Sequence, residues 1–224
     1  MNFKIDCNLL ESLVKTSQTR DLADDPVKKT IRTGLGSSCT IYVRSGKKNW
    51  SGSGFYVGNN IVITAGHVVP NDQNLTEIMC TFDGNKYIRA TFVTSDSNID
   101  SGAVRLEYSP TGIEPLKFGN SDILEVGDIV AVISAPEGFH DTATVGRVSN
   151  IHQSIADQNM PAWNDIIFID ADILEGSSGG MVIGIDNLVY GTIMGVTGQH
   201  ADIGIGESSV CPSNKIQNML SNLV

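Results

Sequence analysis

From Cys39 onward the chain is cut into short β-branched runs by turn residues, a pattern that calls for hairpins and leaves little room for helices. Residues 40–43, 54–57 and 61–64 form three such runs, with Gly58-Asn59-Asn60 turning the chain between the last two. Asp83-Gly84-Asn85 separates 78–82 from 87–94, and Asp186-Asn187 separates 181–185 from 188–196. Further strands are expected at 129–134, 143–149 and 166–171, and residues 103–106 read as a buried strand. No internal repeat is visible. The strand count and spacing predict an all-β protein of two packed six-stranded antiparallel β-barrels, with barrel 1 over about 37–112, barrel 2 over about 120–212 and a junction near 111–122.

Helices are expected only at the two ends. Ile5, Leu9, Leu10, Leu13 and Val14 stand near helical spacing, so residues 1–36 read as a helical extension, followed from Thr16 to Lys29 by a polar stretch. That apolar stripe packs on the body of the protein or docks on a neighbouring copy or an activating protein. Pro212-Ser213-Asn214 opens a last helix over 213–223, whose stripe is Ile216, Met219, Leu220 and Leu223.

Charge and composition narrow the partners. With 15 basic and 25 acidic side chains the formal charge is −10, which repels phosphate backbones and anionic lipid, so neither nucleic acid nor a membrane surface is an expected partner. No segment approaches the roughly 20 apolar residues that span a bilayer, and Met1 to Cys7 lack a signal-like apolar core, so a cytoplasmic location is expected. Cys7, Cys39, Cys80 and Cys211 are far apart in sequence, with no Cys-x-x-Cys pair to suggest zinc or redox chemistry, and read as free thiols. No metal or cofactor is expected.

Chemistry is carried by two short motifs. In Glu175-Gly176-Ser177-Ser178-Gly179-Gly180 a serine sits among glycines, which exposes its hydroxyl together with backbone N–H groups. An unassisted hydroxyl is a poor nucleophile, and acyl transfer needs an imidazole to take its proton and a carboxylate to fix the imidazole's tautomer. His67, in Thr64-Ala65-Gly66-His67-Val68-Val69, is the candidate base, whereas His140, His152 and His200 lie in no comparable setting. Asp100, where a loop enters a buried strand, is the candidate acid, and Asp96 is its competitor. The order His, Asp, Ser is that of chymotrypsin-type enzymes. The backbone N–H groups of Gly176 and Ser178 are the candidates for holding an oxyanion.

Ordered motifs from about 40 to 223 resemble the protease domain of the HtrA/Deg serine proteases, within the trypsin-like superfamily. They are Gly52-Ser53-Gly54-Phe55, the His67 motif, Gly119-Asn120-Ser121-Asp122 followed by Val126-Gly127-Asp128, and Pro136-x-Gly138. Thr142-x-Thr144-x-Gly146-x-Val148-Ser149, Gly176-x-Ser178-Gly179-Gly180 and Pro212-Ser213-Asn214 complete the set. The resemblance implies two barrels with the active site between them, cofactor-free cleavage of protein or peptide substrates, and often a trimer. It also implies a pocket formed by Asp172, Val196 and Ser208, where a carboxylate at Asp172 would select basic side chains and the HtrA pattern would select aliphatic ones.

Three departures stand out. The family's Asp-x-Ala is here Asp100-Ser101-Gly102-Ala103, one residue longer, which leaves the reach of the acid open. Ser177 replaces the aspartate of trypsin's zymogen switch, so no cleavage-triggered activation is expected, and no PDZ domain is expected after the last helix. The expected function is that of a serine endopeptidase acting through an acyl-enzyme; the alternative is a catalytically weak or inactive module of the same fold that binds peptides or a partner protein.

Overall fold

A computed structural model describes residues 25–71, 75–136, 141–157, 160–200 and 205–221. The chain is two antiparallel β-barrels in series. Strands β1 (Ser38–Ser45), β2 (Lys48–Gly58), β3 (Ile61–Ala65), β4 (Leu75–Thr81), β5 (Tyr87–Asp96) and β6 (Ser101–Leu106) close the first in the order β1-β2-β3-β6-β5-β4. A two-residue strand, β7 (Lys117–Phe118), then leads to β8 (Ile129–Ser134), β9 (Thr142–Asp157), β10 (Met160–Ile169), β11 (Met181–Gly184), β12 (Leu188–His200) and β13 (Ile205–Pro212). These six are ordered β11-β8-β9-β10-β13-β12, and the pairing of β11 with β12 closes the second barrel. Strand β7 joins it in parallel, beside β12.

Alternation explains why several runs are apolar at every position. Successive side chains on a strand point to opposite faces. In β3, Val62 enters the core of the first barrel and Ile63 the seam between the barrels, both fully buried. In β8, Val130 and Val132 fill the second barrel while Ala131 and Ile133 face the seam, and β11 divides likewise between Val182 and the pair Met181 and Ile183. Strands with two buried faces therefore lie where the barrels meet. Phe55 belongs to the same seam, fully buried and set edge-on to Phe118 at 6.2 Å between ring centres.

Among the described residues, two α-helices cover this body. Helix α1 (Pro26–Leu35) falls partly in the stretch expected to be a polar connection, and its start is set by local chemistry. The Asp25 carboxylate accepts the N–H groups of Val27 at 3.0 Å and Lys28 at 3.3 Å, and Pro26 occupies the first turn, where its missing N–H costs nothing. The helix lies on β8 and β11, so closely that a Cβ on Gly34 would come within 2.7 Å of Ile133. The helix expected from Ile5 to Val14 lies outside the described residues. Helix α2 (Ser213–Ser221) buries Ile216 and Met219. Its start meets the Gly119-Asn120-Ser121-Asp122 segment: Ser213 Oγ donates to Gly119 O at 2.8 Å and Asn214 Nδ2 to Asn120 Oδ1 at 2.7 Å.

Other differences from expectation concern length. Strands β9 and β10 run well past the apolar stretches that signal them, β10 stops at Ile169 short of the expected 171, and β13 lacks an alternating signature. Removing the seam's aromatic plug tests how far the barrels depend on each other: Phe55→Ala is expected to lower the free energy of unfolding by about 3–5 kcal/mol, read by urea denaturation.

Candidate active site

His67 stands just beyond β3, held by what flanks it. Val68 and Val69 are buried in the first barrel, and the Trp50 indole N–H donates to Val68 O at 2.8 Å. On the other side, Gly66 lets the β5–β6 turn approach: a Cβ there would lie 3.1 Å from Ser101 N and 3.2 Å from Asp100 Oδ1. Asp100 Oδ1 accepts the backbone N–H of His67 at 2.9 Å, and His67 Nδ1 lies 3.0 Å from Oδ1 and 2.9 Å from Oδ2.

The longer turn does not keep the acid away. Asp96 pairs with Ser101 across the hairpin, and Asp100 closes the turn with φ of 47°, a left-handed conformation that aspartate tolerates better than most residues. Gly102 is equally constrained, because a Cβ would meet Val69 Cγ2 at 2.7 Å. Asp96, the competitor, accepts Asn98 N at 2.9 Å and Asn98 Nδ2 at 3.0 Å and makes no bond to His67.

The electrostatics follow from unequal exposure. The His67 side chain is 51% exposed and that of Asp100 is 5% exposed, so a desolvated carboxylate holds an accessible imidazole. Burial of the ring disfavours its charged form, but the hydrogen bond and negative charge of Asp100 together outweigh it and raise the His67 pKa above its ordinary value.

Ser178 lies on a loop that the first barrel grips. Ser53 N donates to Ser178 O at 2.8 Å, and Ser53 Oγ donates to Gly176 O at 2.7 Å while accepting Ala135 N at 2.8 Å. Gly176 has φ of 87° at the third position of a turn closed by Ser177 N donating to Leu174 O at 3.0 Å. The buried Ser177 hydroxyl accepts Leu174 N at 3.2 Å and the Ser134 hydroxyl at 3.3 Å. Among the described residues, neither the Gly176 nor the Ser178 N–H meets an acceptor. Gly179, with φ of 83°, sits so tightly on the seam that a Cβ would fall 2.3 Å from Ser53 O. The Ser178 hydroxyl points to Met194 O at 3.5 Å and makes no hydrogen bond to His67.

An open cleft of about 780 Å³ runs past His67 and Asp100, with Trp163, Met194, Gly195 and Val196 among its walls. Of the expected pocket positions only Val196 lines it. Ser208 is buried, and its hydroxyl is taken up in a 2.7 Å bond to Ala171 O. Asp172 corrects the expectation of a carboxylate floor: it is exposed outside the cleft lining, with its carbonyl bound by the Thr144 hydroxyl at 2.8 Å.

Residues 52–191 match the family model of the trypsin-like peptidase domain. The chain belongs to the trypsin-like peptidase family. Within it, the chain is 29% identical over 174 residues to the periplasmic serine endoprotease DegP of Escherichia coli (strain K12), covering 75% of this chain and 36% of that protein. It is 28% identical over 213 residues to the putative serine protease HhoA of Synechocystis, covering 93% and 52%, and 30% identical over 174 residues to the human serine protease HTRA4, covering 77% and 34%. The chain thus spans about a third to a half of the length of these relatives. Among solved structures it resembles the Rv3671c protease of M. tuberculosis in its active form, with TM-score 0.74, 24% identity and coverage of 87% and 83%. The HtrA-type protease AlgW with a tripeptide gives TM-score 0.75, 18% identity and coverage of 88% and 63%. No helix among the described residues is long and apolar enough to cross a membrane, and relatives named periplasmic lend the cytoplasmic expectation no support.

Sequence reasoning passed over two residues of this trypsin-like site. Ser53 stood in plain view within Gly52-Ser53-Gly54-Phe55, where a polar residue between two glycines on an apolar strand is itself a signal. Trp163 gave none. The pH dependence follows from the direction of the His67 shift: pairing with Asp100 contributes stability that is fully present below the ordinary histidine pKa and is lost as pH rises through the raised, folded value. In Asp100→Asn the cause that remains is burial, so an NMR titration of His67 is expected to show a pKa above the ordinary value in the wild type and a lower one in the variant.

Proposed function

We propose that the chain is a serine endopeptidase. The observation that carries this reading is the grip of the buried Asp100 carboxylate on both the backbone N–H and Nδ1 of His67, at the mouth of a peptide-sized cleft. With Nδ1 engaged as a donor, Nε2 is left as the basic nitrogen of the neutral ring. His67 Nε2 takes the proton of Ser178 as Oγ attacks the substrate carbonyl carbon, and the C–O bond forms as the carbonyl electrons move onto oxygen. The N–H groups of Gly176 and Ser178 receive that oxyanion, and Asp100 stabilises the imidazolium. His67 then returns the proton to the leaving amine, and water repeats the sequence on the acyl-enzyme to release the acid and restore Ser178.

The turn of the Ser178 hydroxyl toward Met194 O is a resting rotamer in this reading, since catalytic hydrogen bonds are often long or poorly aligned before substrate binds. The same observation favours a second reading, in which the cleft binds peptides without cutting them. Covalent labelling by a fluorophosphonate separates the two: a folded protein that never labels at Ser178 is a binding module. Protein or peptide substrates, a cytoplasmic location and assembly through the N-terminal segment belong to the proposal.

Replacing Ser178 by alanine is expected to lower turnover of a peptide substrate by about 10⁶-fold while leaving the melting transition in place, and Asp100→Asn to lower it by about 10⁴-fold. A Ser178→Ala protein as active as the wild type would remove this residue from the mechanism.

A further inference from the structure

The cleft has one aromatic lining residue that no step of the mechanism uses. Trp163 comes from β10, in the second barrel, and lines the same cleft as His67 and Asp100. It is held rather than free: only 7% of it is exposed, it packs in the seam cluster that includes Ile99 and Met194, and its indole N–H donates to Ser97 O at 3.2 Å, in the turn that carries Asp100. An indole buried on one face and tethered at its nitrogen presents its remaining edge at a fixed place, without the conformational cost that a mobile side chain would bring to binding.

The same cleft has a floor position that carries no side chain. Gly195 lines the cleft between Met194 and Val196, and among the described residues a Cβ built there would meet nothing within 4 Å. Elsewhere on this strand a glycine has a packing reason, since a Cβ at Gly191 would fall 2.4 Å from Cys211 O. At Gly195 the missing side chain instead leaves volume above the strand. Among the described residues, those lining the cleft include no lysine or arginine, and Asp100 is already bound to His67.

We propose that Trp163 is the specificity-determining residue of this cleft, forming with the open floor at Gly195 a subsite for an apolar side chain of the substrate flanking the scissile bond. The claim rests on the peptidase reading for its substrate, but the wall itself is testable by binding alone. A side chain of leucine or phenylalanine size fills the space above Gly195 and gives up water against the indole, whereas a lysine or glutamate would have to be desolvated without a partner.

The test profiles a peptide library randomised at each position around the cleavage site, by cleavage with the wild type and by affinity selection on Ser178→Ala protein. One position is expected to favour leucine or phenylalanine over alanine and over charged residues by about tenfold or more. Trp163→Phe is expected to keep that preference and Trp163→Ala to lose it. Because Trp163→Ala removes a core side chain, Gly195→Leu serves as the second variant: it fills the floor and should weaken bulky apolar peptides by about tenfold while sparing those with alanine at that position. A profile flat at every position, or one unchanged in both Trp163→Ala and Gly195→Leu, overturns the subsite. If Ser178→Ala protein selects apolar peptides that the wild type never cuts, the subsite stands and the peptidase reading fails.

Discussion

Ser53 uses its N–H and its hydroxyl to tie the first barrel to the second, and its carbonyl to brace the first. Its N–H holds Ser178 O, its carbonyl accepts the Thr64 hydroxyl at 2.7 Å, and its own hydroxyl bridges Ala135 N and Gly176 O. The residue is fully buried, so each of these groups would be left without water if its partner moved. The consequence for chemistry is direct. With the Gly176 carbonyl anchored to Ser53 and the Ser177 N–H committed to Leu174 O, the peptide joining them is fixed, and this steadies the N–H groups on either side of it. In the peptidase reading, the N–H groups that would receive the oxyanion are steadied both by the loop's own turn and by the barrel that carries His67.

Glycines make that arrangement possible where backbones press together, between the barrels at Gly179 and within the first barrel at Gly66. Gly179 lies against Ser53 O and Thr64 Oγ1, and Gly66 lies against the Asp100 turn. In both cases a methyl group would push apart a pair of elements that each carry one member of the candidate triad. The positive φ of Gly179 adds a backbone reason to the steric one. The pairing of His67 with Asp100, and the seating of the loop that carries Ser178, therefore depend on residues that take no part in acid–base chemistry.

How much of this could be read from the sequence depended on whether a signal was local. The serine and histidine stand in glycine-bounded motifs whose strain is written into neighbouring residues, and strands at the seam advertise themselves as continuous β-branched runs because both faces are buried. Asp100 was legible as a residue but not in its reach, since that depends on a left-handed turn closing on Gly66 from another strand pair. Trp163 was invisible for the same reason: its importance lies in a hydrogen bond to Ser97, 66 residues away. Helix α1 is the opposite case. Asp25-Pro26 is a local start signal, overlooked because the stretch after it is basic and poor in apolar residues and buries only Thr30 and Gly34 fully.

Asp172 shows the limit of transferring a position by counting. Six residues before the nucleophile, the chain in this protein has left β10 at Ile169, and the Thr144 hydroxyl from β9 binds the carbonyl of residue 172. The carboxylate is on the surface as a result. A carboxylate in a pocket is hydrated while the pocket stands empty and loses that water when a substrate side chain enters, a cost that only a cationic side chain would offset; among the described residues lining this cleft the one carboxylate, Asp100, is bound to His67. In the peptidase reading, with no free charge among the described lining residues, recognition falls to shape and apolar surface.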